Sequence, residues 1–240
     1  MIDIKELINE YPYRIELHAH TNPVSGCSEF PPDELAQIYH EKNVDCLCVT
    51  NHYTPGMLQN GRSRSESVRE FMEAYEKTKS FGKKLGMNVC LGAELRFSPN
   101  NNDYLIFGID EADCDAFYDY LPGSVEDFCR EYKKTQHFFL QAHPFRDGMV
   151  RIDPSLLDGV EVFNMHLNHR SRNPLAAEWA VDNSLIPTIG SDCHHPGHQA
   201  TGLIRAKQLP ENSADIASLL FSKEFLFEIN GFIIIPNFGA

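Results

Sequence analysis

The stretch Tyr13-Arg-Ile-Glu-Leu-His-Ala-His-Thr21 is the most informative part of this 240-residue chain. Residues 13–17 have the composition of a β-strand, and side chains two residues apart on a strand point to the same side. His18 and His20 therefore present two imidazoles to one place, where the strand opens into a loop. Paired neutral imidazoles are a common beginning of a transition-metal site. Surface strands carry such pairs by chance, so the rest of the chain decides what this pair means.

Strand-like and helix-like segments alternate along the whole chain. Most of the strand candidates are short apolar runs without clean alternation, which is typical of strands that are buried on both faces. The predicted strands are residues 13–18, 44–50, 88–94, 103–109, 137–142, 159–163 and 186–191. The predicted helices are residues 32–40, 64–85 with Gly86 as C-cap, one that begins after Ser124, one that begins at Asn173, and 213–221. Repeated β-then-α order predicts an α/β protein with a parallel sheet that is either open or closed into a barrel.

The composition predicts one soluble domain that covers residues 1–240. Apolar residues make up 42% and charged residues 23% of the chain, and the net charge of −13 disfavours nucleic acid as a partner. No apolar run is long enough to span a membrane, so no membrane partner is expected. The seven cysteines are odd in number and form no Cys-x-x-Cys motif, and the segment Met1-Ile-Asp-Ile-Lys-Glu6 lacks the features of a signal peptide. We therefore expect a cytoplasmic protein with free thiols.

Histidines and carboxylates recur at the carboxyl ends of five of the predicted strands. These residues are His18, His20, His52, Glu94, His143, Asp192 and His194. In a β/α barrel, these strand ends converge on one mouth, where active sites are built. The residue types suit Zn, Fe or Mn, and the two carboxylates are able to bridge cations. The pattern therefore predicts a multinuclear metal site, whereas any one of these histidines alone is better read as an ordinary core or surface residue.

Six short segments together resemble the polymerase-and-histidinol-phosphatase (PHP) family of metal-dependent phosphoesterases. They are Leu17-His-Ala-His-Thr, Thr50-Asn-His, Gly92-Ala-Glu, Ala142-His-Pro, Val160-Glu-Val-Phe-Asn and Gly190-Ser-Asp-Cys-His. They occur in the family's order and cover most of the chain. The resemblance implies a distorted (β/α)7 TIM-like barrel that forms a single PHP-type domain, and a site that holds two or three divalent transition-metal ions (Zn, Mn or Fe).

The resemblance also implies which residues hold each ion. The first ion would take His18, His20, Glu94 and Asp192, the second Glu94 and His143, and the third His52 and His194. Two positions depart from the family pattern, because Leu105 and Gly26 stand where the family often has ligands. Cys27, beside Gly26, is either a thiolate ligand for a soft metal or an idle thiol. Whether two or three ions bind stays open, and Asn51 is expected to support the ligands from behind.

The function that the resemblance implies is metal-dependent hydrolysis of a phosphate ester by metal-activated hydroxide. The first choice of substrate is a small phosphomonoester, such as histidinol phosphate or a nucleotide. Asp192, His194 and His143 are the predicted catalytic residues, and either histidine is able to protonate the leaving oxygen. The predicted substrate-binding residues are Arg96, Arg146 and His195, for which a solvated loop position is the competing interpretation.

Three other interpretations stay open. A phosphodiesterase or exonuclease that acts on nucleic acid or cyclic phosphates is the main alternative, although the sequence shows no basic, aromatic-rich stretch. An amidohydrolase also begins with His-x-His, but no Lys ends a predicted strand here. A barrel without catalytic activity is disfavoured by the near-complete ligand set. The exact substrate, the metal and the oligomeric state are open.

Overall fold

The computed structural model describes residues 3–58 and 61–238, and it contains seven α-helices and twelve β-strands over these residues. The helices are α1 (Ile4–Glu10), α2 (Pro32–Glu41), α3 (Arg64–Leu85), α4 (Glu111–Tyr120), α5 (Val125–Glu131), α6 (Asn173–Asp182) and α7 (Ser213–Ser222). The strands are β1 (Tyr13–Ala19), β2 (Cys46–Val49), β3 (His52–Tyr53), β4 (Asn88–Leu91), β5 (Ala93–Arg96), β6 (Asp103–Phe107), β7 (Phe138–Gln141), β8 (Gly159–Asn164), β9 (Ile186–Gly190), β10 (Gly202–Ala206), β11 (Phe225–Ile229) and β12 (Phe232–Ile234). The two ends of the predicted 1–240 domain, residues 1–2 and 239–240, lie outside the described residues.

The strands form two mixed sheets of six strands each, in the orders β12-β11-β10-β1-β2-β4 and β3-β5-β6-β7-β8-β9. Five neighbouring pairs are parallel, and the pairs β1/β10, β10/β11, β11/β12, β5/β6 and β6/β7 are antiparallel. The α/β class is therefore confirmed. A closed barrel is not confirmed, because the hydrogen bonds between the described strands divide into two sheets. The link from β5 to β6 is too short for a crossover helix, so that pair has to run antiparallel.

Two chain segments cross from one sheet to the other beside the ligand-bearing residues. The predicted strand 88–94 is broken at Gly92 into β4 of the first sheet and β5 of the second. A Cβ on Gly92 would lie 2.8 Å from Thr50 Cγ2 and 2.9 Å from Phe107 Cε1, so only glycine fits this crossing. Likewise His52 does not end β2, as the sequence suggested, but begins β3 in the other sheet. Glu94 and His52 thereby become direct neighbours in the β3/β5 pair.

All five predicted helices are present, as α2, α3, α5, α6 and α7. Helix α3 begins after Ser63, which forms a capping box with Glu66, and it ends at Gly86 in the left-handed conformation with φ of 77°. Helix α5 follows the Ser124 cap. The sequence missed α1, α4 and the strands β10 to β12.

Apolar side chains of the strands and of the helices packed on them form one core. All residues of β2, β6, β7 and β9 are buried, which matches the apolar runs predicted for strands covered on both faces. All seven cysteines are free thiols, and five of them are buried. None of the helices in residues 3–58 and 61–238 has the length and apolar character needed to cross a membrane.

A buried ion cluster fixes the antiparallel end of the first sheet. Glu228 on β11 accepts from Arg14 Nη2 at 2.6 Å and from Arg205 Nε at 2.7 Å, and burial leaves the Glu228 side chain only 5% exposed. Burial opposes ionisation of Glu228, but its bonds with Arg14 and Arg205 outweigh this effect and lower its pKa below the ordinary 4.5. The carboxylate therefore stabilises the fold above its ordinary pKa and loses this contribution as the pH falls through its lowered value.

We expect Glu228→Gln to lower the free energy of unfolding at pH 7 by about 2 kcal/mol. The two arginines would lose their counter-charge, but Arg14 keeps some contact with water, so the loss is smaller than for a fully buried pair. Urea unfolding at pH 7 and at acidic pH checks this, and the gap between the variant and the parent protein should narrow in acid. A constant gap would contradict the ion-pair explanation.

Candidate metal centre

All seven ligands predicted from the sequence lie together at the carboxyl ends of β1, β7 and β9 and at the crossings into β3 and β5. They are His18 and His20 of the β1 end, His52 of β3, Glu94 of β5, His143 after β7, and Asp192 and His194 after β9. Six of them are at least 95% buried as whole residues, as is the crossing residue Asn51. His143 and Asp192 have φ of 30° and 50°, so the backbone holds two of these residues in the sparsely populated left-handed region. Such strain persists where the surrounding structure imposes it, and it is frequent at functional sites.

The side chains divide into three overlapping groups, in each of which the ligand atoms lie within 4.8 Å of one another. The inner group is His18, His20 and Asp192, in which both Nε2 atoms lie 3.5 Å from Asp192 Oδ1. The second is His18, Glu94 and His143, with His18 and His143 Nε2 at 3.3 and 3.1 Å from Glu94 Oε1. The inner and second groups both contain His18, so the two candidate metal positions lie side by side.

The third group consists of His20, His52 and His194 and is referred to below as the outer group. The centroids of the His52 and His194 rings lie 4.5 and 4.2 Å from that of His20. Glu94 Oε2 lies 2.7 Å from His52 Nδ1, so Glu94 borders this group as well as the second. A carboxylate that borders two groups through different oxygens is able to bridge two ions, as expected of a multinuclear centre.

Divalent cations fit the donor set, as the unpartnered polar atoms show. Among the described residues, buried atoms without a hydrogen bond include His18 Nε2, His20 Nε2, His52 Nδ1 and Glu94 Oε2, all of which point into the cluster. Buried polar atoms that lack partners cost free energy, so native proteins leave few of them. Imidazole nitrogens and carboxylate oxygens in this arrangement are ligands for Zn, Mn or Fe. The missing hydrogen bonds of His18 Nε2 and His20 Nε2 are explained if both atoms bind ions.

The charges of the cluster show how strongly it attracts cations. Burial acts to lower the pKa of His18, but Asp192, Glu161 and Glu94 outweigh it and raise this pKa well above 6.5. For Asp192, burial opposes ionisation, and the charge of His18 and hydrogen bonds from other histidines reverse this and hold its pKa well below 3.8. Asp192 thus favours its ionised form, and a cation beside it is stabilised in the same way as the protonated form of His18.

Glu161 accepts hydrogen bonds from two of the predicted metal ligands. It lies within the motif Val160-Glu-Val-Phe-Asn, but no role was predicted for it from the sequence. Its Oε1 accepts from His18 Nδ1 at 2.8 Å, and its Oε2 accepts from the His143 backbone N–H at 3.0 Å. Asn164 Nδ2 lies 3.0 Å from both Glu161 Oε2 and Asp192 Oδ2. Hydrogen bonds of this kind fix the tautomer and orientation of metal-binding histidines. A glutamate inside the apolar run Val160-Glu-Val-Phe was the signal that could have identified it.

Glu16 and Asn51 hold the backbone around the same cluster. Glu16 is fully buried, and its Oε1 accepts from the backbone N–H groups of His18 and Ser191, which ties the β1 end to the β9 end. Asn51 lies behind His20 as expected, because Asn51 Oδ1 accepts from Ser25 Oγ, and that hydroxyl lies 3.1 Å from His20 Nδ1.

The structure places the three predicted substrate-binding residues at the rim of the cluster. Arg96 donates to both oxygens of Asp103, at 2.6 and 2.7 Å. Arg146 donates to Asp103 at 3.0 Å, and its Nη1 lies 3.4 Å from His143 Nε2. His195 is more exposed and pairs with Glu29 at 3.1 Å. Asp103, which the sequence analysis missed, therefore holds both arginines beside the second group, and their contact with a substrate stays a prediction.

We expect Glu161→Gln to weaken metal affinity by about 10–100-fold, the usual effect of removing an outer-shell partner. The amide has only one acceptor atom, so it is unable to accept from His18, His143 and Asn164 together. Competition with a chromophoric zinc chelator measures this change. Glu178→Gln, on the exposed side of α6, is the matched control and should bind as the parent protein does.

Comparison with known proteins gives matches among solved structures only, since no family model and no curated protein matches the chain. A two-domain protein from Bacteroides vulgatus that contains a predicted PHP-like metal-dependent phosphoesterase is 18% identical, with a TM-score of 0.62 over 92% of this chain and 66% of that one. PsfC from Pseudomonas syringae is 17% identical, with a TM-score of 0.59 over 85% and 86% of the two chains. An amidohydrolase from Chromobacterium violaceum with bound sulfate is 15% identical, with a TM-score of 0.51 over 93% and 98%.

These likenesses show a shared fold at low sequence identity. The chain spans just under two thirds of the Bacteroides protein, which has a second domain. The fold agrees with the resemblance to the PHP family that the sequence motifs carry.

Proposed function

We propose that this protein is a metal-dependent hydrolase of phosphate esters, and that a small phosphomonoester is its substrate. The single observation that supports this most is the set of three adjoining ligand groups, with Glu94 beside both the second and the outer one. A phosphate ester has several anionic oxygens, and adjoining cation positions are suited to bind more than one of them. The PHP-like phosphoesterase with the same fold gives further support.

The proposed cofactors are two or three Zn, Mn or Fe ions. When bound, such ions supply an activated water nucleophile near neutral pH and neutralise charge on the phosphoryl oxygens. The proposed ligands are those of the three groups, with Asp192 as the carboxylate of the inner one. His194 lies 3.2 Å from Asp192 and His143 lies 3.1 Å from Glu94. If only two ions bind, His194 is free of metal and is the candidate proton donor to the leaving oxygen.

Arg146 is the residue best placed to steady the phosphate. Its guanidinium lies between Asp103 and His143 Nε2, and the bond to Asp103 fixes its orientation. A guanidinium held in this way offers further N–H donors to a phosphate oxygen, in the geometry that suits bidentate contacts. Arg96, bound to the same carboxylate, adds positive charge at the rim.

The loop that follows His143 borders an open cavity, which includes Arg146 but none of the seven predicted metal ligands in its lining. It has a volume of about 670 Å³, and residues 144–151, Arg172 and Trp179 line it. Such a volume is within the range of small-molecule sites. The sulfate bound to the amidohydrolase of the same fold is compatible with recognition of a tetrahedral anion in this fold.

Three finer points belong to this proposal. The free state of all seven thiols supports a cytoplasmic location. The bridge between Ala19 and Cys193 brings the two sheets together at the site, which supports their being two parts of a distorted barrel. A phosphodiesterase remains the alternative, and the neighbouring amidohydrolase makes a hydrolase of C–N bonds a second candidate.

Metal analysis and a substrate panel test the proposal. The purified protein, loaded with Mn, Zn or Fe, is analysed for metal content by plasma mass spectrometry and assayed on a chromogenic phosphomonoester, a phosphodiester and an amide. Two or more ions per chain with monoester turnover is the expected result. Preferred turnover of the diester or the amide would replace the substrate class, and failure to bind any metal would overturn the enzyme assignment.

A further inference from the structure

Cys27 is the exposed cysteine of the chain, and its sulfur lies at the outer group of histidines. Cys27 Sγ is 3.2 Å from His52 Nε2 and also within hydrogen-bonding reach of His194. The neighbouring Gly26 offers no ligand, and its Cα faces open space. One thiol therefore contacts two of the three imidazoles of the outer group.

A second, independent feature indicates that this group is built for a ligand. The ligand atoms of His20, His52 and His194 converge within 4.8 Å of one another. His20 is fully buried, and its Nε2 has no hydrogen-bond partner. His52 and His194 offer two nitrogen donors to an outer ion, because the one available nitrogen of His20 also faces Asp192 of the inner group. A tetrahedral ion held by the protein therefore needs a further donor on the solvent side.

We propose that Cys27 supplies a thiolate ligand to a metal ion held by His52 and His194. The proposal rests on the proposed function only in requiring that the centre binds metal. It gives the outer position a sulfur donor, whereas the inner and second groups offer nitrogen and oxygen alone.

The sulfur donor distinguishes the metal preference of the outer position from that of the other two. Thiolates favour Zn and similar soft or borderline ions, whereas carboxylates and imidazoles without sulfur also suit Mn. We therefore expect the outer position to select zinc or cobalt over manganese. Removal of the sulfur should weaken zinc binding at this position by about tenfold or more. Loss of a residue that only hydrogen-bonds to a ligand already weakens metal binding by about 10–100-fold, so loss of a direct ligand should cost at least the lower value.

Cobalt substitution tests the sulfur ligand directly, without any assay of activity. The metal-free protein is titrated with Co²⁺, and the expected result is a thiolate-to-cobalt charge-transfer band in the near ultraviolet beside the visible bands of tetrahedral cobalt. In Cys27→Ser the charge-transfer band should disappear. The control variant, Cys129→Ser, removes a half-buried thiol that bonds to the Leu156 carbonyl in another part of the fold and should keep the band.

The outcomes separate this proposal from the proposed function. Visible cobalt bands without a charge-transfer band in the parent protein would overturn the sulfur ligand and leave the metal centre in place. No cobalt binding at all would overturn the proposed function itself. X-ray absorption of the zinc-loaded protein gives a second readout, in which a Zn–S distance of about 2.3 Å is expected and its absence contradicts the proposal.

Discussion

Asp192→Asn is expected to reduce phosphoester hydrolysis by more than about 100-fold and to lower the bound metal, while the fold stays intact. Loss of a residue that only supports a metal ligand already costs about 10–100-fold. Asp192 Oδ1 lies 3.5 Å from the Nε2 atoms of both His18 and His20, which places all three atoms around one position. The asparagine keeps the size of the side chain but removes the negative charge that attracts cations to the inner group. Steady-state kinetics with metal analysis on the same preparation measures both effects.

The control for this variant is Asp182→Asn, at the exposed end of α6, which should keep full activity and metal content. Circular dichroism and the unfolding midpoint establish that each variant is folded. A folded Asp192→Asn protein with the metal content and activity of the parent would show that Asp192 holds no ion, and the ligand assignment would have to be abandoned.

Gly190→Ala is expected to cost about 3 kcal/mol of folding stability and to weaken metal binding together with it. Gly190 ends β9 directly behind the β1 end, where an added methyl group would overlap His18 Cβ and lie 2.7 Å from Glu161 Oε1. Both atoms are buried, so the methyl group is accommodated only if the His18 side chain moves away from the ions. One methyl group would thereby disturb the inner and the second group, which share His18.

Gly26→Ala is the matched control, because a Cβ at that position meets nothing within 4 Å and the variant should bind metal as the parent does. Chemical denaturation and chelator competition are measured on both proteins. If Gly190→Ala keeps the parent's stability and metal affinity, then His18 is not held by close packing against β9, and its position must depend on Glu161 alone.

The sequence by itself determined the residue types of the centre and their places in the chain. His18 and His20 share one side of a strand because the side-chain period of a strand is two. Glu94, His143 and Asp192 each follow a short apolar run, and such runs become buried strands. Local signals also determined α3, since Ser63, Glu66 and Gly86 satisfy its ends without help from other parts of the fold.

Only the tertiary structure decided how these residues combine. The crossings at Gly92 and before His52 depend on contacts with Thr50, Phe107 and the neighbouring strand, so no local signal shows that His52 and Glu94 pair. The strands β10 to β12 form where an edge of the first sheet is free to pair with them. The hydrogen bond between Glu161 and His18 joins residues that are far apart in the chain. Periodicity and capping act over a few residues, whereas sheet order and the partners of buried charges are set by packing across the whole chain.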